Sequence, residues 1–404
     1  MTLKISIGVF SLDYDETITQ IDTFEGVIFQ ACKIHYEKLG KDINFKEMEN
    51  NIVEVFKKHR IERENWCGSW LPNTPLKDFR CDEISKLFLS LSEFESHFNC
   101  KMDSELIPIK YLNEYIVNNS SQIAPKGCIF KDKAHDTIHS LSKFSKLCLI
   151  ISIGWCSERI LQTVKPVIYD DKNCELKCIC NEFLYDSPNG VVTAPNGLYG
   201  PTCKYRRFKQ EIEVYEKKFK RNVLSKLKYS YLYRMMKYYF KNEIYIHSIF
   251  IGDSVTDLES ILFAEIGIII GYNPKYELNT DSNTVSTVSS QSNIEVDENS
   301  TINNSETGYQ NQLILGEFLI RICKLFAVNI VPIDSKYISR CIDYDLKVYN
   351  KIKRNDDGIV NLSNYVRNVQ RLRSKYSNTS LYNKFSGICL IASCWDDIYK
   401  LFHQ

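Results

Sequence analysis

Asp13 and Asp15, in Asp13-Tyr14-Asp15-Glu16-Thr17, come directly after an apolar run over residues 3–12. Two carboxylates one residue apart on a tight loop can face a single point. One can attack an electrophile while the other handles the proton that moves with the reaction. Read alone, the same letters also fit an acidic surface turn. The apolar run ahead of them favours the end of a buried strand. A second acidic pair, Asp253 and Asp257, follows the apolar residues 248–252. Their spacing puts both on one side of a helix that starts there. Clustered carboxylates repel one another unless a cation compensates, and a hard ion bound through oxygen, such as magnesium, fits. Asp257 also fits a plain acid at a helix start. Ser152 ends a third apolar run, residues 147–152. Its hydroxyl and the amides after it can cradle phosphate oxygens at a helix N-terminus; a helix-capping serine gives the same pattern.

Such residues act together only if their strand ends meet. Residues 3–12 predict a first buried strand, 147–152 a second, 248–252 a third and 266–270 a fourth, with further strands over 328–332 and 387–392. Helical spacing lies between them: 134–145, 157–164, a basic and aromatic-rich stretch 203–242, then 257–264, 312–326 and 394–402. Residues 176–194 predict a hairpin, with Asp186-Ser-Pro-Asn-Gly190 as its turn. Strands alternating with helices predict an α/β fold built on a doubly wound parallel sheet, Rossmann-like in its core. Ligands of such sheets bind at the carboxyl ends of the strands, where all these acids lie.

Several segments fall outside that alternation. Residues 21–125 carry helical patterns, notably 47–59 and 82–94, and predict a helical cap inserted after the first strand. Residues 276–308 are dominated by Ser, Asn and Thr and predict a disordered insertion, since they bury too little apolar surface to offset ordering entropy. Residues 334–384 read as a polar, basic insertion. The division expected is core over 1–20, cap over 21–125, core over 126–275, insertion over 276–308, and completion of the core over 309–404.

Composition removes some classes of function. The chain has 404 residues and a formal net charge of +1, so no global basic excess points to nucleic acid. The dense Lys and Arg of residues 204–241 read as a solvated helix face. The longest apolar runs are far shorter than the ~20 residues that span a bilayer, and the first residues lack the charged and cleavage regions of a signal peptide. The 15 cysteines are scattered along the chain. Cys174, Cys178 and Cys180 have no second close pair of the kind zinc sites use, so reduced thiols are expected. The expectation is a cytoplasmic protein with a small-molecule partner, without nucleic acid or membrane.

The set Asp-x-Asp-x-Thr at 13–17, the post-strand Ser152, and Gly252-Asp253-x-x-x-Asp257 resembles the haloacid dehalogenase superfamily of phosphatases. SIGWCSERI, CNEF, IFIGDSVTDLESILFAEIGIIIG, LGEFLIRICKLFAVNIVPI and ASCWDDIYKLF further resemble the phosphatase half of plant bifunctional TENA–thiamin monophosphate phosphatases. That likeness covers residues 1–20, 128–275, 309–333 and 385–404; Glu265 stands where the group tends to have Asp. The resemblance implies a magnesium-dependent phosphomonoester hydrolase. Asp13 would be its nucleophile, passing through an aspartyl-phosphate, and Asp15 its general acid and base. Magnesium would lie between Asp13, the Asp15 carbonyl and Asp253, with Asp257 binding or orienting. Lys204, following the predicted hairpin, would hold phosphate with Ser152; Lys209 is the fallback. The implied substrate is thiamin monophosphate. Alternatives are another small phosphomonoester, such as phosphoserine, a nucleotide or a sugar phosphate, and a non-catalytic binding or regulatory protein on the same fold. Trp155, just past Ser152, and Glu158, one turn onward, offer a ring face and a negative charge to a cationic thiazolium.

Overall fold

Runs of β-branched and aliphatic residues too short for a buried helix form the strands of a seven-stranded sheet. The computed structural model describes residues 4–20, 23, 44–70, 89–90, 92–94, 130–155, 157–168, 174–181, 198, 200–226, 243–271, 319, 323, 328–336, 352–375 and 388–404. In chain order the elements are β1 (Lys4–Leu12), α1 (Phe45–Trp70), α2 (Ala134–Phe144), β2 (Ser145–Trp155), α3 (Ser157–Val164) and β3 (Glu175–Asn181). Then come α4 (Pro201–Lys226), β4 (Glu243–Gly252), a 3-10 turn (Val255–Asp257), α5 (Leu258–Phe263) and β5 (Ile266–Ile270). The last are β6 (Asn329–Pro332), α6 (Leu362–Lys375), β7 (Ile388–Ala392) and α7 (Trp395–Phe402).

The strand order is β3-β2-β1-β4-β5-β7-β6, and every pairing is parallel. From central β1 the chain first fills one flank with β2 and β3. It then crosses to β4 and builds outward on the other side. That reversal opens a crevice between the carboxyl ends of β1 and β4, the place where a doubly wound sheet binds ligands.

Side chains alternate between two apolar layers, as the pleat requires. On β2, Cys148 and Ile150 join one layer while Leu147, Leu149 and Ile151 join the other. The first layer is covered by α2, α3, α6 and α7 through residues such as Ile138, Ile160, Tyr365 and Trp395. The second is covered by α4 and α5 through Phe208, Ile212, Leu258 and Ile261. The α/β, doubly wound parallel architecture expected from the alternation is therefore present.

Residues 175–181 form β3, registered in parallel on β2 with Ile150 beside Cys178, while the return arm expected of the 176–194 hairpin lies outside the described residues. Two expectations change. The predicted strand at 248–252 is the end of a longer strand, β4, whose full length pairs with β1 from Lys4–Glu243 to Leu12–Ile251. The expected polar insertion at 334–384 contains α6, whose Leu362, Tyr365, Val366 and Val369 are buried in the first layer. Those four recur at helical spacing, a signal hidden by the polar residues between them.

Helical structure is seen over α1 and at residues 89–90 and 92–94 of the expected cap. The rest of 21–125 apart from Thr23 and Asn44, the whole of 276–308, and 227–242 lie outside the described residues. Among the described residues no helix is long and apolar enough to cross a membrane.

Because Tyr365 is fully buried, Tyr365→Ala should lower unfolding free energy by about 3–5 kcal/mol, as large-to-small changes of core aromatics do. Urea denaturation measures it. An unchanged midpoint would show that this segment does not complete the core.

Candidate active site

The crevice is lined first by β1. Asp13 N donates to Ile251 O at 3.0 Å, extending the ladder by one residue and fixing where the Asp13 side chain emerges. The chain then turns sharply. Thr17 N donates to Asp15 O at 2.6 Å, and Ile18 N to Tyr14 O at 3.0 Å. Glu16 sits at φ 55°, in the left-handed region that non-glycine residues rarely adopt. The turn is held from several sides. Glu16 N donates to Thr19 Oγ1 at 3.1 Å, the Lys131 ammonium donates to Glu16 O, and the Trp395 indole donates to Thr17 O at 2.9 Å.

From the other wall, β4 ends in Gly252 and Asp253. Thr17 Oγ1 donates to Asp253 Oδ1, tying the two strand ends together. Asp257, fully buried at the close of the 3-10 turn, accepts from Ser254 N at 3.3 Å and Ser254 Oγ at 2.9 Å through Oδ2. Gly252 has to lack a side chain, because a Cβ there would lie 2.5 Å from Asp257 Cβ.

Lys204 enters from the first turn of α4 and is 1% exposed. Its Nζ lies 2.9 Å from Asp13 Oδ1 and 2.7 Å from Asp257 Oδ1. The carboxylates of Asp13, Asp253 and Asp257 fall within 4.8 Å of one another. With all ionised, Lys204 pairs with the two buried carboxylates, and half-buried Asp253 has Lys131 as its attractive charge. Burial, and then Asp257, push Asp13 well above the usual carboxylate range, against the pull of Lys204. Burial also pushes Asp253 up to about 7, with Glu16 and Asp257 adding to it and Lys131 and Thr17 opposing. Burial alone would lower the Lys204 ammonium, but Asp13 and Asp257 outweigh it and hold it above its ordinary value.

The third wall is the end of β2. Ser152 is buried, and its Oγ accepts Gly154 N–H at 3.0 Å, leaving its own hydroxyl proton for another acceptor. Gly154 lies against Asp15; a Cβ there would be 2.9 Å from Asp15 Oδ2. Asp15 Oδ1 accepts from the backbone N–H of Thr23 at 3.0 Å and from its hydroxyl. Asn181, at the end of β3, donates to Ile153 O at 2.8 Å and Leu198 O at 2.7 Å and accepts Leu198 N–H at 3.1 Å. It thereby anchors the approach to Gly200 and α4.

The structure thus brings together Asp13, Asp15, Ser152, Lys204, Asp253 and Asp257. Lys209, half-buried further along α4, makes no such pair among the described residues. Glu158 is exposed on α3 and accepts from Gln162 at 3.3 Å; the side chain of Trp155 lies outside what is described. The sequence reading assigned no role to Thr23, Lys131, Arg159, Gly154 or Trp395. Only Gly154 carried a usable signal, standing two residues after a post-strand serine.

No protein-family model and no curated protein matches the chain. Among solved structures it is similar to the crystal structure of phosphoserine phosphatase in apo form, at 12% identity over 66% of this chain and 87% of that one, TM-score 0.33. A phospho-aspartyl intermediate analogue of phosphoserine phosphatase matches at 13% over 67% and 88%, TM-score 0.33. A protein of unknown function from Bordetella pertussis Tohama I matches at 11% over 67% and 92%, TM-score 0.34.

The raised Asp253 gives a signed pH dependence for the metal-free protein. A folded-state value of about 7 exceeds the unfolded value of about 4. Its contribution to stability is therefore complete below about pH 4 and lost as pH rises through about 7. In the presence of chelator, Asp253→Asn should melt above wild type at pH 8, with the gap closing by pH 4. A gap independent of pH would show that Asp253 does not ionise in this range.

Proposed function

We propose that the chain is a magnesium-dependent phosphomonoester hydrolase of the haloacid dehalogenase type, working through an aspartyl-phosphate. The observation that carries this reading is the buried Asp13–Lys204–Asp257 arrangement at the crevice, with Asp253 and Asp15 beside it. An unreactive scaffold has no need of two buried carboxylates on one buried lysine with a third, half-buried carboxylate beside them.

The donor set fits magnesium: hard carboxylate oxygens, clustered within 4.8 Å of one another. Asp13, the Asp15 carbonyl and Asp253 would hold the ion. Asp257, whose two oxygens are already engaged by Lys204 and Ser254, would orient the others. When bound, the ion draws charge from the phosphoryl oxygens and offsets repulsion between phosphate and carboxylates.

The chain's own groups do the rest. A carboxylate oxygen of Asp13 forms a bond to phosphorus as the ester P–O bond breaks and its electron pair stays on the leaving oxygen. Asp15 gives that oxygen a proton. Asp15 then takes a proton from water as the water attacks phosphorus, releasing phosphate and restoring Asp13. Lys204 pairs with Asp13 in the free site and meets a phosphoryl oxygen when substrate enters. The Ser152 hydroxyl, whose oxygen already accepts from Gly154, donates to another. The residues of 21–125 would cover the crevice and read the leaving group. Thiamin monophosphate is the substrate implied by the sequence resemblance; Glu158 and Trp155 would then face its thiazolium.

Purified protein should release phosphate from a panel of phosphomonoesters including thiamin monophosphate, phosphoserine, a sugar phosphate and nucleotides. Chelator should abolish the activity, magnesium restore it and calcium support it poorly. Asp13→Asn should lose at least about a thousandfold in kcat. Turnover near wild type by folded Asp13→Asn would overturn the nucleophile assignment, and full activity in chelator would remove the metal. Thiamin monophosphate falls as substrate if its kcat/KM is about tenfold or more below that of another member of the panel.

A further inference from the structure

Arg159 stands apart from the mechanism just given. It lies in the first turn of α3 at 3% exposure and makes no ion pair among the described residues. Its Nε and Nη1 have no hydrogen-bond partner, and its carbon lies 6.0 Å from the Tyr14 ring centre. Burying a guanidinium this way costs several kcal/mol unless something offsets it. Its one hydrogen bond runs from Nη2 to Thr23 Oγ1. That hydroxyl donates in turn to Asp15 Oδ1, which also accepts Thr23 N–H at 3.0 Å. Arg159 therefore reaches a carboxylate through Thr23, and the carboxylate is the proposed acid and base.

We propose that Arg159 and Thr23 are positioning residues that fix the Asp15 carboxyl so that Oδ2 alone exchanges a proton with the leaving oxygen. This rests on the phosphatase reading above. The direction of the hydrogen bonds makes the assignment. With Oδ1 occupied by two donors, a proton is placed on Oδ2, the oxygen beside Gly154 and the Ser152 hydroxyl. The threonine hydroxyl can accept from a guanidinium and donate to a carboxylate at once, and each bond polarises the next. A side chain with a methyl in place of that hydroxyl breaks both links. When the ester bond breaks, the electron pair goes to the leaving oxygen and the Oδ2 proton follows it, leaving Asp15 ionised for the hydrolysis step.

The test separates proton donation from folding. Wild type, Thr23→Ser, Thr23→Val, Arg159→Lys and Arg159→Met are compared on glycerol 2-phosphate, whose alkoxide must be protonated, and on 2,4-dinitrophenyl phosphate, whose leaving group needs no proton. Thr23→Val and Arg159→Met should lose about a hundredfold in kcat on the alkyl ester with KM little changed, the scale of general acid catalysis. The burst of dinitrophenolate, which reports formation of the aspartyl-phosphate, should keep its wild-type rate. Thr23→Ser should restore the alkyl activity, and Arg159→Lys should restore part of it. A parallel loss on both substrates, or no loss on either, overturns the relay. If Thr23→Val or Arg159→Met unfolds, Arg159→Lys decides: selective loss on the alkyl ester supports the proposal, and equal loss on both substrates or no loss on either overturns it. Failure of wild type on both substrates and on the panel above would instead remove the phosphatase reading itself.

Discussion

The ion pairs of Lys204 with Asp13 and Asp257 are the constraint on which the crevice depends. Two carboxylates buried side by side repel, and neither can be hydrated. A buried ammonium between them makes their proximity tolerable, and removing one member of such a set leaves an uncompensated charge. The rest of the local structure serves that arrangement. Gly252 leaves room for Asp257, the 3-10 turn brings its carboxylate back toward the strand end, and Asn181 secures the approach to α4, which delivers the lysine. The pairing does not neutralise the place. Burial first, and the nearby Glu16 and Asp257 after it, still raise the proton affinity of Asp253.

Topology sets where this charge can gather. Since every strand is parallel, all carboxyl ends lie on one edge of the sheet, and the reversal from β3 to β4 opens a crevice beside β1. Thr17 bridges that crevice to Asp253, so the Asp13–Thr17 loop is anchored on the strand opposite its own. Glu16 tolerates its left-handed backbone for the same reason: bonds to Thr19, Lys131 and Trp395 over-determine the turn.

Much of this was legible in the sequence, and the pattern of what was not is physical. Asp13 and Asp253 follow largely apolar runs that announce both a strand and its carboxyl end, while the run ending at Ser152 announces β2 but stops three residues short of its end at Trp155. Asp257 follows at a spacing set by the next helix start. Lys204 had no such signature, because it stands in a lysine-rich helix and only resemblance singled it out. Arg159 and Thr23 were invisible for a deeper reason. Arg159 adjoins Ile160 on α3, where an arginine is expected to be solvated, and its partner lies 136 residues earlier. Helix α6 was missed because the composition of 334–384 is polar on average while one face of the helix is not.

The indole of Trp395 reaches Thr17 across 378 residues of sequence. Chain synthesis runs in the opposite sense, so both aspartates of the first motif are made long before the group that holds their loop from below. Until β7 and α7 have emerged and docked, the growing polypeptide lacks one of the bonds that hold the turn carrying Asp13 and Asp15. Maturation of the crevice is thus coupled to completion of the far flank of the sheet, and the longest-range contact in the site closes last.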